Sequence, residues 1–138
     1  MTRRHVILLG VTMGVFSLLF GCAKKEPPLV DGGLYYTQEE DGRYAVLKIL
    51  KLDDHGVHVR VYSNRFDQPP PSVDPASLFM AGMPKEGEAR TDPMGMGHLP
   101  MSRGSFDAWG AVFIQQSAVA EDELEGYEMW SEAGGGYF

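Results

Sequence analysis

The segment Pro93-Met94-Gly95-Met96-Gly97-His98-Leu99-Pro100-Met101 holds the side chains most suited to chemistry. Thioethers are soft donors that need no deprotonation, so methionine beside histidine suits Cu(I) or Ag(I). Met94 and Met96, two apart on glycine-rich backbone, could converge on one ion with His98 and Met101. Five of the chain's eight methionines fall between positions 80 and 101. Methionine is equally the adaptable filler of irregular loops and promiscuous binding surfaces. Copper-binding tracts usually repeat their motif, and this one occurs once. Loop packing or a partner surface is therefore the leading reading, with soft-metal binding as the alternative.

Other constellations say less. His55 and His58 flank a turn-to-strand junction, and Asp53 or Asp54 could complete a zinc site, but the pattern places His58 opposite the valines, towards solvent. Ser102, Ser105, His98 and Asp107 are close enough in sequence to suggest a nucleophile with its base. No Gly-x-Ser-x-Gly elbow accompanies them, and helix capping accounts for both serines. Glu121, Asp122, Glu123 and Glu125 lack the spacing and central glycine of a calcium loop. They read as an acidic helix start. The glycine-rich tail has no lysine and no following helix, so it is no phosphate cradle. These residues point away from an enzyme.

The elements that must position these groups fall into two textures. From Gly33 to Ser63 the pattern is a β-meander. Leu34, Tyr35, Tyr36 and Thr37 lead into an acidic turn ending Asp41-Gly42. Ala45, Leu47 and Ile49 then alternate with Tyr44, Val46 and Lys48. Asp53-Asp54-His55-Gly56 makes a second turn with glycine at a left-handed position. Val57, Val59 and Val61 alternate with His58, Arg60 and Tyr62. Residues 64–105 hold seven prolines and five glycines and read as a long irregular arm. Asp74-Pro75 caps one short helix that Gly82 ends. A second short helix starts at Ser102 with Phe106 and Trp109 on its inner face, and 111–117 is a further strand. Leu124, Tyr127 and Trp130 give a C-terminal helix one apolar stripe, which Gly134-Gly135-Gly136 stops. The sum is one small α+β domain over 33–138, an open antiparallel sheet or partial barrel with a Pro/Gly/Met-rich arm and a C-terminal helix.

The 138 residues, 43% apolar and 22% charged, suffice for one domain with a core. The formal charge of −7 argues against a nucleic-acid partner. A lone cysteine excludes a disulfide framework. Arg3, Arg4 and His5 precede an uncharged run over 6–20 that spans about 22 Å as helix, short of the ~30 Å hydrocarbon core. A basic start and a short apolar run are the grammar of a secretory signal. The run ends Leu19-Phe20-Gly21-Cys22, which resembles the lipobox of bacterial lipoproteins, although Phe20 is bulkier than usual at its place. The resemblance implies a signal peptide over 1–21, acylation of Cys22 and a tether over 22–32. Ala23, where an inner-membrane lipoprotein typically carries Asp, implies the periplasmic face of the outer membrane. Cleavage removes Arg3 and Arg4 and no acid, so the formal charge moves from −7 to −9.

An acidic body steers a basic protein partner in. Tyr35, Tyr44 and Tyr62 supply aromatic surface of the kind interfaces use. The first half, with its aromatic strand, acidic turn and apolar stretch 44–50, is similar to small β-rich immunity proteins of polymorphic toxin systems, some of which are envelope lipoproteins. That likeness carries over no residue roles. The expectation is a membrane-anchored, non-enzymatic protein-binding module without cofactor, engaged in toxin neutralisation or envelope assembly. Cu(I) binding is the alternative.

Overall fold

The computed structural model describes residues 29–138. The expected signal peptide, Cys22 and most of the tether lie outside the described residues. Five strands form one open antiparallel sheet in the order β4-β3-β2-β1-β5. They are β1 Gly33–Gln38, β2 Tyr44–Leu52, β3 Gly56–Phe66, β4 Met96–Ser102 and β5 Val112–Gln116. Two α-helices follow β4 and β5, α1 Arg103–Ala108 and α2 Glu125–Glu132. The domain is α+β.

Period-2 alternation sorts the sheet into two faces. Ala45, Leu47, Ile49, Val57, Val59 and Val61 turn to the first face, where most of them pack with Tyr35, Met101 and Phe106. Each such aliphatic side chain contributes about 1.5–3 kcal/mol when fully buried. Ser102 caps α1 by accepting from the Ser105 amide, which lowers Phe106 onto this face edge-on to Tyr35, with centroids 5.9 Å apart. Trp109 follows α1 in helical conformation, 38% exposed. Its indole lines the same sheet face that Phe106 packs on, beside Leu47 and Val61.

Leu34, Val46 and Tyr62 turn to the second face and are covered by Val73 and Leu78 of the arm. The chain then returns across this face from β5 towards β4. Lys48, only 5% exposed, fastens the return by donating to the Ala118 carbonyl and to Glu123 at 2.9 Å. The Glu123 carboxylate also lies 3.6 Å from Arg60. Burial pushes the Glu123 pKa up, but Lys48, the Ala120 amide and Arg60 together hold it below its usual range.

The region 64–105 is more ordered than its composition implies. Strand β4 lies within it, pairing with β3 through Val57–Met101 and Val59–Leu99. Pro100 is tolerated because β4 is an edge strand, where a missing amide costs no ladder bond. The expected helix after Asp74 is one 3-10 turn, Pro75–Ser77, and Leu78 is already extended. The backbone from Phe79 is drawn into the sheet instead, with the Ser63 amide donating to the Phe79 carbonyl at 2.8 Å. Gly56 is not left-handed, as no positive φ occurs there. A Cβ at Gly56 would lie 2.4 Å from the Tyr137 ring and 2.5 Å from the Met101 carbonyl. Close approach, not turn conformation, requires that glycine.

Candidate functional site

Asp53, His58, His98, Tyr127, Trp130 and Tyr137 meet on the second face. Asp53 occupies the β2–β3 turn, where its carboxylate accepts from the amides of His55 and Gly56 at 2.9 and 2.7 Å. The turn thus aims the second oxygen, Oδ2, at His58 Nε2, 2.6 Å away. The Tyr137 hydroxyl donates to the same oxygen. His58 is the third residue of β3 and 0% exposed. His98 comes from β4, its ring beside that of His58 and nearly parallel to it, with an interplanar angle of 9°. His58 Nδ1 and His98 Nε2 are 2.8 Å apart. Tyr127 and Trp130 of α2 close over His58 edge-on, both with centroids 4.6 Å away.

The proton arrangement follows from what each group can donate. A carboxylate only accepts, so His58 Nε2 carries a hydrogen towards Asp53. In the neutral pair His58 Nδ1 then accepts from His98 Nε2–H. Burial pushes the Asp53 pKa up, but Tyr137, His58 and the two turn amides outweigh it and hold the carboxyl well below its usual range. Burial and then Asp53 push the Tyr137 phenol up to about 12, so it stays a donor. Burial, followed by the neighbouring His58, lowers the pKa of His98.

The C-terminal chain is shaped to fit this cluster. Gly126 lies where a Cβ would come 2.8 Å from His98 Cβ, so α2 can sit against the ring. Gly134 takes φ 65° after the helix, turning the chain back so that Trp130 Nε1 donates to the Gly136 carbonyl at 3.0 Å. Phe138 then pairs along β4, its amide donating to the Pro100 carbonyl at 3.0 Å and its carbonyl accepting from Ser102 at 2.8 Å.

The groups singled out in the sequence are distributed differently. His58 does lie opposite the valines, but α2 and the tail cover it, so it does not face solvent. Met94 and Met96 stand on the first face, lining a groove of about 590 Å³ with Ala45, Leu47, Val61 and Trp109. His98 turns to the second face, and Met101 is buried in the first-face core at 6% exposure. The four proposed metal donors are therefore not brought together. Among the described residues, no three His, Cys, Asp or Glu side chains are grouped to hold a metal ion. Of the four ring nitrogens of His58 and His98, His58 Nδ1 and His98 Nε2 engage each other and His58 Nε2 engages Asp53. Ser102 and Ser105 bond to one another at 2.9 Å, away from His98. Tyr35 and Tyr62 are 0% and 8% exposed core residues, unavailable to a partner. Tyr44 is half-buried, edge-on to Tyr36 at 5.5 Å.

The groove is rimmed by the β1–β2 turn, with Glu39 paired to Arg65 and Asp41 to Arg43, both at 2.8 Å. Met80 packs against Gly95, whose amide donates to the Ala81 carbonyl at 3.0 Å. Met80, Met94, Met96 and Trp109 are 36–41% exposed. Among the described residues, no helix is long and apolar enough to cross a membrane. Comparison with protein families, with curated proteins and with solved structures finds no match to the chain.

Proposed function

We propose that the chain is a lipid-anchored protein of the bacterial envelope whose domain is a non-enzymatic protein-binding module. The anchor rests on the lipobox pattern at Cys22, and the outer membrane's periplasmic face rests on Ala23. One observation carries the binding reading: Met94, Met96 and Trp109, each more than one-third exposed, line an open groove beside the charged β1–β2 turn. Thioether side chains repack at low cost around differently shaped partners, and clustered exposed apolar surface marks interaction sites. The acidic domain favours a basic partner by steering. Tyr44 is the proposed aromatic contact that remains half-exposed.

A photo-crosslinking residue at position 94 or 109 of the full chain, in its native envelope, tests this. A discrete protein adduct is expected from the groove positions, with none from position 129 on α2. Equal labelling at all three positions, or none, would sink the reading.

A further inference from the structure

We propose that Asp53, His58 and His98 form a proton-operated latch that holds the C-terminal segment 127–138 on the sheet and releases it on acidification. The inference rests on the cluster's geometry and is independent of the binding reading above.

The latch follows from counting hydrogen positions. Two fully protonated imidazoles carry a hydrogen on every ring nitrogen. In the docked arrangement His58 Nε2 gives its hydrogen to Asp53, and the 2.8 Å line from His58 Nδ1 to His98 Nε2 admits only one. The docked pair is thus one proton short of full protonation. Full protonation sets two N–H groups and two positive charges against each other across a 2.8 Å contact. His58 cannot yield, because it is wholly buried between sheet and helix. His98 must move, and its Cβ lies against Gly126 of α2, so its movement displaces the helix.

The charged surroundings do not offset this. Among the described residues, Asp53 is the only acid bonded to either ring, and it already faces the far side of His58. Asp54 acts on Tyr137. Lys51 sits 4.7 Å over the Tyr127 ring, and Arg103 donates to the Asp53 carbonyl; both cations oppose a further proton. Glu123 is committed to Lys48 and Arg60. His55 stands in the turn beside Asp53, and the Tyr137 phenol, pushed up to about 12, stays neutral next to Tyr127.

The segment the latch releases is bound at one more place. Phe138 pairs with Pro100 and Ser102, so undocking also bares the backbone edge of β4. The undocked pair has room for the fourth hydrogen, which the docked pair excludes from the 2.8 Å line between His58 Nδ1 and His98 Nε2. Stability of the docked state is therefore complete above the ordinary imidazole pKa of ~6.5 and falls as pH drops towards the lowered value of His98.

Hydrogen exchange of the full chain in detergent micelles, corrected for intrinsic pH dependence, reads the opening. Protection over 127–138 should fall up to about tenfold per pH unit below ~6.5, the slope for one proton taken up on opening, while β2 stays protected. His98→Asn retains an amide donor for His58 Nδ1 without titrating, and it should abolish this pH dependence. Ring-nitrogen NMR of the unmodified chain supplies a second reading if that variant does not fold. The His98 ring signals should titrate together with shifts in the 133–138 amides. Independent titration with those amides unmoved, or an undiminished pH step in His98→Asn, would overturn the latch.

Discussion

On the second face His58 is wholly covered by Tyr127, Trp130 and Tyr137, whereas on the first face Met94, Met96 and Trp109 stand more than one-third exposed. The covered face is polar at its centre, with Lys48, Glu123, Asp53 and two imidazoles. The open groove joins thioether, indole and aliphatic groups on the sheet to polar and charged groups of the β1–β2 turn. Burial forces polar groups to find partners of fixed geometry, because an unmatched one costs about 1–3 kcal/mol. Among the described residues no buried side-chain nitrogen or oxygen lacks a partner. No such demand acts on the groove, where methionine can adopt many shapes against solvent. One face is specified by its own chain.

This contrast breaks first at Glu123. Glu123→Ala strands the buried Lys48 ammonium with only the Ala118 carbonyl, and should cost about 3–5 kcal/mol in urea unfolding. A cost below about 1 kcal/mol would mean that Lys48 reaches water and that the return crossing is not fastened there. Gly56→Ala tests the fit of the tail. Its methyl group enters the Tyr137 ring, so a loss of about 1–3 kcal/mol is expected, together with faster exchange over 133–138. Unchanged exchange in that segment would show that Tyr137 docks without needing the glycine. The smallest effect belongs to the open face. Met94→Ala with Met96→Ala should leave stability within about 0.5 kcal/mol while removing the crosslink expected at position 109. A large loss of stability would make the groove part of the core and not a surface.

The meander was legible because its signal is local. Alternation of Val57, Val59 and Val61 with His58, Arg60 and Tyr62 fixes which residues share a face, whatever covers that face. Ser102 as a cap and Gly134 as a stop were legible for the same reason, each satisfying or turning backbone within a few residues. Strand β4 was hidden because Gly97 and Pro100 read as breakers, and only its position at the sheet edge makes Pro100 harmless. His58 was assigned to solvent because polar residues on a half-buried strand usually point there. The stripe of Tyr127 and Trp130 was visible as an apolar helix face. Nothing in its spacing says that two histidines lie beneath it.

The sequence by itself determined the periodicities, the caps, the acidic balance of the domain and the concentration of methionine in one stretch. These depend on neighbours a few positions apart, or on composition alone. Only the tertiary structure decided who meets whom: His58 with His98 across 40 positions, Lys48 with Glu123 across 75, and Asp53 with Tyr137 across 84. Those meetings need β4 on the outer edge of β3, and a return crossing from β5 over the second face. Period-2 alternation states which way a side chain points. Which distant segment covers it depends on strand order and crossover, and no local spacing encodes either.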